Sequence, residues 1–169
     1  MHGATVVAVH SLVMAAHCSR FPTLPPSPVA STVPPEMEGK EYQVTLPAFH
    51  LRVPSRRAFI PLLEYLYVRK GPELLTLLLP PVSDMSKESW TNLTTMAESL
   101  TDQIAERSDE QMILDRLRRV HAMWQTVCVL GINDNFLWKI MNLAWTVCFR
   151  AMMKKKEASK ATGEAQVKA

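Results

Sequence analysis

The sequence predicts an α+β fold: mostly helical, with a small sheet packed on the helices and an antiparallel C-terminal αα-hairpin. Three observations carry this. Thr5–Val9 is an unbroken, β-branched apolar run of the kind that forms a buried strand. Tyr42–Leu46 and Ala48–Val53 read as two short strands on either side of Pro47, which forces an edge or a corner. From Phe59 onward apolar residues recur at steps of three and four, the period of a helix face. With 169 residues, 47% of them hydrophobic, the chain can bury a core and is not broadly disordered.

The N-terminal strand runs into a short helix, Leu12–Cys18. Six prolines between Phe21 and Pro35 then mark an extended, mobile insertion over 21–41. After the second pair of strands comes the helix around which the rest is arranged. Ser55 stands at its N-cap, and Phe59, Leu62, Leu63, Leu66 and Tyr67 form one stripe. Pro61 lies beyond the free first turn, removes one backbone bond and should bend the helix. Gly71-Pro72 separates it from a second short helix, Glu73–Leu79, which Pro80-Pro81 stops.

A longer helix is expected over 86–107, with Trp90, Leu93, Met96, Leu100 and Ile104 on one side. Ser108-Asp-Glu-Gln111 matches a capping box, Ser108 capping forward and Gln111 reaching back. The next stripe is Ile113, Leu117, Val120, Trp124, Val127 and Cys128. Gly131 supplies a left-handed end, and Asn133 or Asp134 recaps at once. The facing stripe is Phe136, Leu137, Ile140, Met141, Ala144, Val147, Cys148 and Ala151. So short a connection makes the two helices antiparallel neighbours. The organisation expected is a core over 4–79, a helical subdomain over 86–153 and a disordered tail over 157–169.

Little in the chain points to a reaction. The net charge of +3 is mild, and no basic face interleaved with exposed aromatics argues for direct nucleic-acid binding. No apolar run is long enough to span a bilayer. Gly-rich phosphate loops, HExxH, GxSxG and CxxC are absent from the sequence. Cys18, Cys128 and Cys148 have no metal-like spacing, and an odd count fits buried thiols in a reducing, intracellular compartment. His10, His17 and Cys18 are close in sequence, but a fourth ligand is not signalled nearby. His50 alternates with apolar neighbours in a short strand and reads as partly exposed, and His121 reads as packed or capped. Ten methionines and four tryptophans are read first as core. Arg56 and Arg57 oppose the dipole at a helix N-terminus, which leaves open a partner carboxylate or plain solvated charge. The chain is therefore expected to be no enzyme, with no metal and no cofactor.

Three blocks carry a resemblance: Val7-Ala-Val-His-Ser-Leu-Val-Met-Ala-Ala-His-Cys-Ser19 with Leu24-Pro25, the stretch Leu46–Tyr67, and Arg119–Asp134 with Leu137-Trp138. Together, over about residues 5–152, they resemble the fungal clampless family, proteins of mushroom-type fungi needed for clamp-cell formation and dikaryotic growth. The same blocks look like a divergent BTB/POZ module, with His10, Leu12, Ala15, Ala16, Phe59, Leu63, Tyr65 and Tyr67 at matching places. That layout implies a truncated BTB/POZ-like core, since the chain starts at the strand before the first helix. The resemblance implies a regulator of sexual development under mating-type control that binds transcription factors, in the nucleus or cytoplasm. An alternative is a BTB-type adaptor recruiting a ubiquitin ligase scaffold. Arg56, Arg57, Tyr65 and Tyr67 are the expected partner-binding residues, and a homodimer is left open.

Overall fold

The computed structural model describes residues 6–22, 48, 50–82 and 93–167. Six helices account for their regular structure: α1 (Ser11–His17), α2 (Arg56–Val68), α3 (Gly71–Leu78), α4 (Leu93–Arg107), α5 (Glu110–Leu130) and α6 (Asn135–Val167). Helices α5 and α6 form the expected antiparallel hairpin. α4 and α3 lie against α6, and α2 lies against α5. One buried cluster runs from Met14 to Ala151, so the expected core and helical subdomain share an interior.

The expected α+β class is overturned: among the described residues there is no strand and no sheet, only an isolated antiparallel bridge between Cys18 and Ile132. The truncated BTB/POZ-like core loses its sheet with it. Residues 6–10 and 50–53 have no regular hydrogen-bonded structure, and they place Val7, Val9, Leu51 and Val53 against the helical core. Apolar side chains can be covered by helices without a ladder of backbone bonds. The strand expected at Tyr42–Leu46, the Pro-rich insertion from residue 23 on, and Trp90 lie outside the described residues.

The helix boundaries follow from local chemistry. Ser55 caps α2 as expected, its hydroxyl accepting from the Ala58 amide at 3.3 Å. α2 runs through Pro61 without a break, and the Arg57 carbonyl forgoes its usual amide. Its buried arc is wider than the expected stripe: Ala58 and Tyr65 join Phe59, Leu62, Leu63 and Leu66, while Tyr67 stays exposed. α3 begins at Gly71, two residues earlier than expected, with Pro72 in its first turn. A Cβ on Gly71 would meet the Phe136 ring at 2.5 Å and Ile140 at 2.9 Å, so the missing side chain lets α3 approach α6.

The expected capping box shifts by one residue. The Ser108 amide still bonds to Ile104 at the end of α4, and Asp109 caps α5 by accepting from Met112 at 2.6 Å. Gln111 instead donates to Asp115 at 3.1 Å. The α5–α6 corner is as expected: Gly131 has φ 66°, and Asp134 recaps by accepting from Phe136 and Leu137 at 3.0 and 3.2 Å. α6 continues as helix to Val167, past Glu157 where the sequence reading ended the ordered chain. Ala158, Lys160, Ala161, Glu164, Ala165 and Gln166 are strong helix formers, which accounts for the extension.

Candidate functional site

Two features stand out: a polar knot at the α5–α6 corner and an apolar outer face on the hairpin. The knot gathers three elements. Arg69, which ends α2, has φ 59°, and is the one described non-glycine residue in the left-handed region. That conformation costs about 1–2 kcal/mol for a residue with a Cβ. It aims the guanidinium at Asp134, with which Arg69 forms an ion pair, and sets it 5.6 Å from the Tyr65 ring centre. The buried Tyr65 donates its hydroxyl to the same Asp134 oxygen at 3.2 Å. Burial alone would push the Asp134 carboxyl up. The Leu137 amide, the Arg69 guanidinium and the Tyr65 hydroxyl outweigh it and hold the carboxyl below its usual range. The Tyr65 hydroxyl is pushed up by burial and then by the neighbouring Asp134 charge.

The N-terminal segment completes this corner. Ser19 and Arg20 amides donate to the Gly131 and Leu130 carbonyls at 3.3 and 3.1 Å, and the Ser19 hydroxyl donates to Gly131 at 2.7 Å. These bonds occupy carbonyls that the end of α5 would otherwise leave unmet. A Cβ on Gly131 would run into the Ser19 hydroxyl and come within 2.8 Å of Arg20. A shallow cleft of about 340 Å³ lies here, lined by His17, Arg69, Asn133 and Asp134 among others.

The structure separates the expected site residues. Tyr65 is committed to the knot. Tyr67, 40% exposed, accepts a bond from the His10 amide at 2.6 Å and lies 3.0 Å from His10 Nδ1, tying α1 to α2. Arg56 and Arg57 are exposed on the first turn of α2, with no ion pair among the described residues. His10, His17 and Cys18 are not brought together: His10 faces Tyr67, while Cys18 is buried beside Ile132. Among the described residues no group of His, Cys, Asp or Glu side chains could hold a metal ion. Burial pushes the Cys18 thiol up to about 11 and the Cys148 thiol to about 12. His121 stacks on Trp124 with ring centres 5.9 Å apart.

Reading the tryptophans as core missed the outer face. Each hairpin helix carries a second apolar line, one residue on from its buried one. On α5 the buried line is Ile113, Val120, Val127, and the second is Leu114, Leu117, His121, Trp124, Cys128. On α6 the buried line is Leu137, Met141, Ala144, Cys148, and the second is Trp138, Asn142, Trp145, Phe149, Met152. A one-residue step turns the surface by about 100°. Because the helices are antiparallel, the same step carries both second lines to the same side of the hairpin. α3 is fixed to the opposite side, where Arg116 and Arg119 donate to the Leu77 carbonyl at 2.9 and 3.1 Å. α4 packs farther round α6 through buried Met96, Ala97, Leu100 and Ile104, with Lys154 paired to Asp102 at its edge. Trp124, Trp145 and Phe149 are consequently 46%, 42% and 50% exposed. The signal was in the sequence, as a second run of three- and four-residue steps beside the first.

No helix among the described residues is long and apolar enough to cross a membrane. Neither a curated protein nor a solved structure matches the chain. Two family domains do. Residues 1–54 match the N-terminal domain of clampless protein 1, and residues 72–169 match its C-terminal domain, which takes in α3 from Pro72 on and all of α4, α5 and α6. The chain thus belongs to the clampless protein 1 family, whose domains tie it to clamp formation and sexual development.

Proposed function

We propose that this chain is a non-enzymatic regulator of fungal sexual development, required for clamp connections and the dikaryon, that acts by binding transcription factors. The exposed aromatic face of the α5–α6 hairpin carries the reading. A cluster of Trp and Phe side chains left in water is costly unless a partner covers it. The face lies within the region matched by the family's C-terminal domain, which supports the reading. The polar groups of the knot, by contrast, are already used in holding α2 to the hairpin. Arg56, Arg57 and Tyr67 offer a second, more polar contact on α2, and the complex forms in the nucleus or the cytoplasm.

The test is genetic and biochemical together. Deleting the gene should abolish clamp cells, and the tagged protein should capture homeodomain or zinc-finger regulators from fungal extract. Normal clamps in the deletion strain would remove the developmental role. Capture of a cullin scaffold without any transcription factor would favour the ligase-adaptor reading instead. A triple substitution of His10, His17 and Cys18 that folds yet abolishes function would reopen a chemical role for those residues.

A further inference from the structure

We infer that the outer face of the α5–α6 hairpin is a docking groove for an amphipathic helix with an acidic edge, a partner chemistry that rests on the protein-binding reading above. The groove floor is Leu117, Trp124, Trp138, Trp145 and Phe149, the adjoining second lines of two antiparallel helices. Antiparallel helices pack side by side, so the furrow between them is shaped to take a third helix along its length. From Trp138 to Lys156 the face runs about 27 Å at 1.5 Å per residue, room for a partner helix of about five turns.

Charge complementarity selects the occupant. α6 carries six basic and two acidic residues over Asn135–Val167, in a chain whose net charge is only +3. Lys156 continues the aromatic line itself beyond Met152, while Lys139 and Arg150 lie about 100° farther round α6 from Trp138 and Phe149, on its solvent side, where Glu157 also lies. None of the three basic residues has an ion pair among the described residues. On α5 the pattern differs: Glu110 lies in line with Leu114 and Leu117, and Arg118 is paired with Asp115 at 2.9 Å. A helix with apolar residues below and carboxylates along the α6 edge satisfies both sides. An anionic bilayer or nucleic-acid duplex laid flat over the face would press on Glu110 as well. A second copy would set one net-positive hairpin against another. Both are less well matched than an acidic helix.

The experiment uses the full chain and a fluorescein-labelled peptide of about 20 residues designed as an amphipathic helix, with Leu and Phe on one face and Glu beside it. Controls are the same peptide with Lys for Glu and a scrambled one. Anisotropy should show saturable binding of the Glu peptide, weakened at least about tenfold by Trp145→Gln or Phe149→Gln and reduced by salt. Ile60→Gln on α2 should leave it unchanged. Circular dichroism establishes that each variant is folded. Equal binding of the Lys peptide overturns the charge assignment, and equal binding of the scrambled peptide overturns the groove. Anionic phosphatidylserine vesicles or a DNA duplex binding with the same variant sensitivity and greater strength overturn the choice of partner. A dimer by light scattering that Trp145→Gln dissolves assigns the face to a second copy. In the deletion strain, rescue of clamps by the Trp145→Gln, Phe149→Gln double variant would reject the groove while leaving the developmental role intact.

Discussion

The corner and the outer face belong to the same hairpin, and they treat their side chains in opposite ways. At the corner the buried polar side chains have protein partners. Asp134 accepts from two amides, one hydroxyl and one guanidinium, and Ser19 and Arg20 occupy the open carbonyls of α5. On the outer face, two tryptophans and a phenylalanine about half exposed have no described neighbouring helix over them. Desolvating a polar group without a partner is penalised, so satisfied polar clusters mark places where the fold closes on itself. Contiguous exposed apolar patches, unlike single exposed side chains, mark interaction sites. The contrast separates residues that hold the molecule together from residues that are free to act.

Substitutions can sharpen that contrast. The largest effect should come from the buried line of α6: Leu137→Ala removes a side chain with no exposure and should cost about 2–5 kcal/mol in urea unfolding. Next comes the corner. Asp134→Ala loses the cap of α6, the Arg69 pair and the partner of a buried hydroxyl, and should cost about 1–3 kcal/mol. An unchanged midpoint would mean the knot is decorative.

The pH dependence follows from the same carboxyl. Its folded value lies below the ordinary 3.8, so over that interval the unfolded chain binds more protons than the folded one. The Asp134 contribution is therefore complete above about pH 4 and is lost as pH falls through the depressed value. Acid unfolding of Asp134→Asn should be correspondingly flatter in that range.

Thiol labelling makes a finer test. Cys18 and Cys148, raised to about 11 and 12 by burial, should stay unlabelled by a thiol reagent at pH 8 until the protein unfolds, whereas half-buried Cys128 reacts first. The smallest effect on stability belongs to the outer face: Trp145→Gln should change the unfolding free energy by no more than about 0.5 kcal/mol. A large loss there would show that the face is covered in the isolated chain.

Much of this was legible in the residues. The hairpin, its Gly131 corner, the Asp134 recap and the Ser55 cap all follow from local chemistry, because a cap is decided by a few neighbouring atoms. The sheet was misread for the complementary reason. Val7, Val9, Leu51 and Val53 are apolar and suited to extended backbone, but a strand also needs a partner edge, and that is supplied from elsewhere in the chain. The Ser108 box failed because α4 had already claimed that residue. Of the expected contact residues, Tyr65 was diverted inward by Asp134, 69 positions away. Tyr67 was tied to His10, 57 positions away. The tryptophans were placed in the core because hydrophobicity alone does not tell which of two apolar lines on a helix faces inward.

The sequence by itself determined where the helices of the hairpin run, how they turn and that each would present more apolar surface than one neighbour could bury. Tertiary structure alone decided which surface was left over. α2, α3 and α4 all settle on one side of the hairpin, through contacts between residues far apart in the chain, and the tryptophans on the other side stay in water. Local periodicity fixes the direction of a side chain relative to its own helix axis, whereas burial depends on what the remainder of the chain places in front of it.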